Sequence, residues 1–178
     1  MQFVLKNGSK LEIREAQPDD AVALCRVMET ADRQTRFLGR NPGEFCATPE
    51  RERHLIEEVL VDADQVWMVA EYQGQVVGQC SVARVRRTQR FRHRAEVAFV
   101  LLQEFWGLGI GGKMMQSCID WCHAQGIEQM ELQVVTKNER ALRMYRGFGF
   151  EICGTLPNAL AYADGSYAAE YFMVKRLR

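Results

Sequence analysis

The chain has 178 residues, 47% hydrophobic and 26% charged, which suits one soluble domain (1–178) large enough to bury a core. Lysines plus arginines equal aspartates plus glutamates at 23 each, so a net charge of zero gives no global argument for nucleic acid or an acidic membrane as partner. No apolar run approaches the roughly 18–20 residues that cross a bilayer, and Met1 to Gly8 turn polar too early for a signal peptide; a cytoplasmic location is expected.

In chain order, Phe3 to Leu5 and Leu11 to Ile13 flank Asn7-Gly8, a hairpin turn pair. Pro18-Asp19-Asp20 opens a helix with proline and acids in its first turn, and Ala21, Val22, Leu24, Cys25 and Met28 give its apolar stripe. Thr30 to Cys46 is polar and Gly/Pro-punctuated, hence predicted as a loop or a short broken helix. Thr48-Pro49-Glu50 caps the next helix, continued by Leu55, Ile56, Val59 and Leu60. Three strands follow: Val66 to Tyr72, Val76 to Val85 and Ala95 to Leu102. A helix then carries apolar residues at 114, 115, 118, 119 and 122 and ends at Gly126. Met130 to Val135 is a strand, Asn138 caps a short helix, and Phe150 to Leu156 and Tyr167 to Leu177 close the chain as strands. The order ββ-α-α-βββ-α-β-α-ββ implies an α/β (α+β) fold, a mixed sheet with helices on both faces.

The six cysteines are scattered with no CxxC pair, as in a reducing compartment. Cys118, Cys122 and His123 lie close together. The two cysteines fall one helical turn apart on an apolar face, however, and no second ligand cluster exists; core packing is expected there, and no metal.

Residues 95–115 carry the most information. An apolar strand (Val97 to Leu102) runs into Gly107, Gly109, Gly111 and Gly112, and a helix starts at once. Residues without Cβ admit a ligand close to the backbone, and the helix start offers free N–H groups and a positive dipole end, which together seat a phosphorylated ligand. Gly107-x-Gly109-x-x-Gly112 fits a dinucleotide fingerprint, with Glu128 and Glu131 near the ribose-binding position, but too little chain follows for a second Rossmann half. Gly107 to Lys113 approaches a P-loop, yet Met114 stands where magnesium needs Ser or Thr. Glycines that merely let a helix pack on a strand are the bland alternative.

The whole neighbourhood fits better. Trp106-Gly107-Leu108-Gly109-Ile110-Gly111 resembles the [Gln/Arg]-x-x-Gly-x-[Gly/Ala] element of the GNAT superfamily of N-acetyltransferases. Asn138-Glu139-Arg140-Ala141-Leu142-Arg143-Met144-Tyr145-Arg146-Gly147-Phe148-Gly149-Phe150 resembles its N-x-x-A-x-x-x-Y-x-x-x-G-F element. The resemblance spans about residues 11–177; Trp106 departs from the usual Gln/Arg.

The resemblance implies a mostly antiparallel central sheet with a splayed strand pair holding coenzyme A. Acetyl-CoA is the implied co-substrate, with its pyrophosphate on the amides of Gly107, Leu108, Gly109, Ile110, Gly111 and Gly112, and with Trp106 and Lys113 flanking them as further cofactor-binding residues. Its pantetheine arm would lie beside Leu101, with the backbone N–H of Leu101 or Leu102 on the thioester oxygen. Tyr145 matches the general acid that protonates the leaving sulfur, the alternative being a core tyrosine beside Phe148 and Phe150. Asn138 is a helix cap, a contact to the CoA arm, or both. Glu96 is a candidate base for the amine, its alternative an edge salt bridge with a nearby arginine. Glu170 is a weaker candidate for binding the amine. The loop around Asp32, Arg33, Thr35 and Phe37 is implied as acceptor wall. The implied reaction is direct transfer to a primary amine of a small molecule or protein; a non-catalytic acyl-CoA sensor on the same fold is the alternative, and a homodimer stays open. Arg84, Arg86, Arg87, Arg90, Arg92 and Arg94 read as a solvated hairpin arm or as a steering patch; Phe91 is their one interleaved aromatic, too few for a nucleic-acid module.

Overall fold

The computed structural model describes residues 1–178 and follows the predicted element order. The strands are β1 (Gln2–Val4), β2 (Lys10–Glu15), β3 (Gln65–Tyr72), β4 (Gln75–Arg84), β5 (Arg94–Leu101), β6 (Gln129–Val135), β7 (Glu151–Ala161) and β8 (Tyr167–Arg176). The helices are α1 (Ala21–Gln34), α2 (Pro49–Leu60), α3 (Ile110–Ala124) and α4 (Glu139–Gly147). The caps act as the sequence predicts: Thr48 Oγ1 accepts Arg51 N–H, and Asn138 Oδ1 accepts Ala141 N–H.

All eight strands form one sheet in the order β1-β2-β3-β4-β5-β6-β8-β7. Every neighbouring pair is antiparallel except β5 and β6. A core of 25 buried residues lies between one sheet face and helices α3 and α4. A smaller core of 9 buried residues, including Leu24, Val27 and Ile56, lies under α1 and α2 on the opposite face. Cys118 and Cys122 are fully buried in the larger core, as their spacing predicts.

Some local expectations are corrected. α1 runs on to Gln34 through the stretch predicted as loop, because Ala31 and Asp32 continue its buried side; Asp32 is neutralised by Arg40 at 3.0 Å. Val22, placed on the apolar stripe, is 64% exposed, and on α2 only Ile56 of the four apolar residues is buried. The arginine-rich stretch is a solvated hairpin arm, with Arg86, Arg87, Arg90 and Arg92 exposed, and part of its charge is paired. Arg84 pairs with Asp64, Arg87 with Asp62 and Arg94 with Glu131, while Arg86 and Arg94 sit over the Phe91 ring.

The parallel pair shapes the molecule. β5 and β6 are in register only at Arg94–Gln129, Ala95–Met130 and Glu96–Glu131. Beyond that point β5 continues to Leu101 along β4, and β6 continues to Val135 along β8. The two strands therefore diverge. Arg94 staples the closed end: its Nε and Nη2 donate to the two oxygens of Glu131, the second at 2.7 Å, and Gln129 Nε2 adds a bond at 2.8 Å. Burial alone would raise the Glu131 carboxyl, but these donors hold it below its ordinary range.

On the other side of β5, Gly78 of β4 lies opposite Leu101. A Cβ on Gly78 would sit 2.6 Å from Val100 O and 3.2 Å from Leu101 Cα. Neither is a flexible side-chain end, so the strand itself would have to move. Gly78→Ala is expected to destabilise the fold by about 1–3 kcal/mol, the usual range for overpacking; a lowered urea midpoint checks it, and an unchanged midpoint refutes the close approach.

Candidate active site

The divergence of β5 and β6 leaves backbone groups without a strand to bond. Leu102 N–H donates to Val77 O at 3.0 Å and Val85 N–H to Arg94 O at 3.1 Å, so the even-numbered residues of β5 face β4. By alternation the odd-numbered residues face β6; Val97 N–H makes the last bond of the short parallel ladder, and Phe99 and Leu101 beyond it turn their N–H groups into the gap. On the far wall, Thr136 N–H donates to Ala169 O, so Gln133 and Val135 of β6 face the gap in turn. The result is a cleft of about 560 Å³ between β5, β6, the glycine turn and α4. Its size lies in the range of small-ligand and cofactor sites.

At the mouth of this cleft the chain turns into α3. Gly107 and Gly109 have φ of +83° and +86°, a left-handed backbone that other residues adopt at a cost of roughly 1–2 kcal/mol each. Lys113 N–H is the first amide after the turn to find a backbone acceptor, at Gly109 O. The six amides from Gly107 to Gly112 have no acceptor within the protein. They form an electropositive nest at the positive end of a 15-residue helix. Gly111 and Gly112 also face α4. A Cβ at Gly111 would meet Met144 Sδ at 3.2 Å, so its smallness eases the approach of α4, whereas one at Gly112 would lie in ordinary contact with the Phe148 ring at 3.9 Å.

Trp106, the departure from the family pattern, bridges the turn to β5: its indole Nε1–H donates to Leu101 O at 2.8 Å. Arg140, the second residue of α4, lies 4.9 Å over the indole ring, forms no ion pair, and lines the cleft. Asn138 uses Oδ1 as the α4 cap and also lines the cleft, so both of its expected positions coincide.

Tyr145 projects from α4 between the rings of Phe99 (6.2 Å) and Phe150 (5.9 Å). It is 8% exposed, and burial, followed by nearby Cys118, pushes its phenol up to about 12. It is therefore fully protonated at neutral pH. The hydroxyl has no partner in the protein, yet no buried polar side-chain atom is sealed off without one; it opens to the cleft that Tyr145 lines.

Glu96 sits where the two strands separate, on the sheet face opposite Tyr145, exposed and lining the cleft. The alternative salt bridge does not form, because Arg94 is taken by Glu131. Thr35 and Phe37 also line the cleft, whereas the Asp32 carboxylate is occupied by Arg40. A second hollow of about 680 Å³ adjoins on the α1 side, sharing Thr35, Leu38 and Gly39 with the cleft; Arg33 and Glu170 line it.

Two assigned cofactor residues fall away. The Leu102 N–H is already bonded to Val77 O and its buried side chain belongs to the core under α1, so Leu101 alone of the pair offers an amide to the gap. Lys113 points its ammonium at the Phe3 ring, 4.9 Å from the centroid, and does not line the cleft. Conversely, Phe99, Gln133 and Arg140 line the cleft without having been singled out for it. Strand alternation gives Phe99 once the register of Leu101 is known; Arg140 stands inside the quoted Asn138–Phe150 block.

A row of free strand amides leading to an anion nest defines a site for an elongated ligand with a phosphate end. Comparison with known proteins agrees. The model of the acetyltransferase (GNAT) family matches residues 27–150. An L-amino acid N-acetyltransferase of Escherichia coli (strain K12), AaaT, is 28% identical over 158 residues, covering 85% of this chain and 96% of that protein. A GNAT-family acetyltransferase of Streptococcus pneumoniae superposes with a TM-score of 0.88 at 26% identity, covering 93% of this chain and 99% of that one. The fold also matches yncA of Salmonella typhimurium, solved with acetyl-CoA, with a TM-score of 0.82 at 21% identity and 94% of each chain covered. The chain belongs to the GNAT family. It is an N-acetyltransferase, and acetyl-CoA is its acetyl donor.

The Cβ of a residue at 109 would project into open space at the cleft mouth, from a backbone that resists a side chain. Gly109→Val is expected to weaken acetyl-CoA binding at least about tenfold, a loss of about 1.4 kcal/mol or more. Calorimetry on a variant with a native circular dichroism spectrum checks this; native affinity would place the pyrophosphate elsewhere.

Proposed function

We propose that this enzyme transfers the acetyl group of acetyl-CoA directly to the primary amine of a small amino-acid-like acceptor, with Tyr145 as general acid. The observation that carries the reading is the continuity of free amides from Phe99 and Leu101 on β5 to the nest at 107–112. In this reading the nest takes the pyrophosphate, with Arg140 as an added cation beside it. The pantetheine amides extend β5 as an added strand in the gap. The Leu101 N–H, or that of Phe99, meets the thioester oxygen.

The chemistry asks little more of the protein than position and proton control. A neutral amine nitrogen attacks the thioester carbonyl carbon, forming the C–N bond and driving the carbonyl π pair onto oxygen, where the β5 amide stabilises it. When the carbonyl re-forms, the C–S bond breaks and its electron pair leaves on sulfur. Tyr145, protonated and free of protein partners, donates the proton that makes the thiol. An ammonium acceptor gives up two protons across the reaction; one balances the thiol and the other leaves to solvent through a carboxylate such as Glu96 or through water. No cysteine lines the cleft, which favours direct transfer over an acetyl-cysteine intermediate.

The small acceptor is supported by the walls of the adjoining hollow. Arg36 donates to Asp164 at 2.9 Å and lies 4.1 Å over the Tyr162 ring, and Tyr162 O–H donates to Arg36 O at 3.0 Å. This clasp ties the α1–α2 loop to the tip of the β7–β8 hairpin and bounds the hollow. The substrate class named for the Escherichia coli relative, L-amino acids, agrees with an acceptor of that size. For a protein that only sensed acyl-CoA, a protonated tyrosine hydroxyl left unpartnered in the cleft would have no task.

Tyr145→Phe removes one oxygen that no protein group uses. It is expected to lower kcat by about 10–10³-fold while leaving the KM for acetyl-CoA and the melting temperature unchanged. Free-thiol release with the best amine from an amino-acid and polyamine screen measures it; an unchanged kcat removes the acid role.

A further inference from the structure

The hollow beside the cofactor cleft carries charges of both signs, and nearly all are neutralised. Asp32 is bound by Arg40 at 3.0 Å, and Asp164 by Arg36 at 2.9 Å. Arg33 follows the exposed stripe of α1 and stands at the rim. Glu170 is the exception on the inner wall. It lies on β8, half-buried, in no ion pair, and lines the hollow. Its cross-strand partner is Val135 of β6, which lines the cofactor cleft. Cross-strand partners share a sheet face with Cβ atoms about 5 Å apart. Glu170 is thus one strand away from the cleft wall, on the sheet face opposite Tyr145.

We propose that Glu170 is the carboxylate that binds the acceptor's ammonium group and takes its first proton, so that the acceptor approaches through the hollow bounded by the Arg36–Tyr162 clasp. This rests on the N-acetyltransferase reading and deepens it. A carboxylate without a partner in a partly desolvated wall is costly unless a cation joins it. An ammonium is such a cation, and the shared rim of Thr35, Leu38 and Gly39 leads from there to the cleft. Burial raises the Glu170 carboxyl above its ordinary range, which brings it nearer to a proton acceptor's working range. The step balances: one N–H bond of the ammonium breaks, its electron pair stays on nitrogen for attack on the thioester, and the proton moves to Glu170 and then to water in the hollow. Glu96, exposed at the strand junction, serves in this scheme as contact for the water there.

Glu170→Gln keeps the shape and removes the charge. With n-butylamine and a panel of L-amino acids and spermidine as acceptors, its kcat/KM for the best acceptor is expected to fall about 10²–10⁴-fold. The KM for acetyl-CoA and the affinity for coenzyme A by calorimetry are expected to stay unchanged, and the melting temperature to hold or rise. A merely structural Glu170 would instead lower the melting temperature and cofactor affinity together. If Glu170→Gln stays within about threefold of wild type, or Glu96→Gln alone reproduces the loss, the assignment is overturned and the acetyltransferase reading stands. If the wild type acetylates no amine, both are overturned.

Discussion

Two parallel strands that part company after three residue pairs are the constraint on which the rest of this structure depends. Past Glu96 and Glu131 each strand keeps its ladder on one edge only, β5 with β4 and β6 with β8. The N–H and C=O groups on the inner edges are left to water or to a ligand. Such groups would be costly if buried dry, so the gap persists only as an open cleft. An extended chain of amides is the ligand that best replaces the missing ladder, and a pantetheine arm is one. The Arg94–Glu131 pair reaches from the first registered pair of the parallel ladder to the last, and the strands part beyond it.

The helices are arranged to serve that opening. α3 begins where β5 ends, after a turn that only a left-handed backbone at Gly107 and Gly109 makes at low cost. α4 begins where β6 ends and packs on the first turn of α3 through Met144 and Phe148 against Gly111 and Gly112. The two helix starts thus converge on the mouth of the same cleft, one bringing six free amides and the other Asn138, Arg140 and Tyr145. Tyr145 is rigid because Phe99 and Phe150 flank its ring, while its hydroxyl is left free. An aromatic held by its body and unbonded at its tip is suited to act on something that arrives.

Much of this arrangement is written locally, and that part was legible. The glycine turn, the Asn138 cap and the position of Tyr145 depend on residues near one another in the chain. What was not legible depends on register or on distant partners. Whether Leu101 or Leu102 turns its amide into the gap is settled by the bond from Leu102 to Val77, and no pattern within β5 states it. Lys113 lies next to the nest in sequence but is drawn away by Phe3 of the first strand. The arginine-rich hairpin reads as an uncompensated patch because its acids, Asp62, Asp64 and Glu131, lie on other segments. α1 outruns its predicted end because Asp32, polar in sequence, is neutralised from the following loop by Arg40 and can be buried.

The cleft and the adjoining hollow are built from parts of different mechanical character. The donor side is built from ladders and helix ends, whose geometry follows from backbone bonding and tolerates little change. The adjoining hollow is built from the segment after α1 and the β7–β8 hairpin, where the ladder breaks at Leu156–Leu160 and Asn158 takes a φ of +53°. These segments are joined mainly by the exposed Arg36 contacts with Asp164 and Tyr162, which solvent screens. A weak clasp over a fixed strand wall lets the rim of the hollow be remodelled without disturbing the thioester's position. Glu170, the group proposed to meet the amine, stands on the strand wall rather than on the rim. An amine nitrogen would therefore be located by the same sheet that locates the thioester, whatever side chain the loops are shaped to receive.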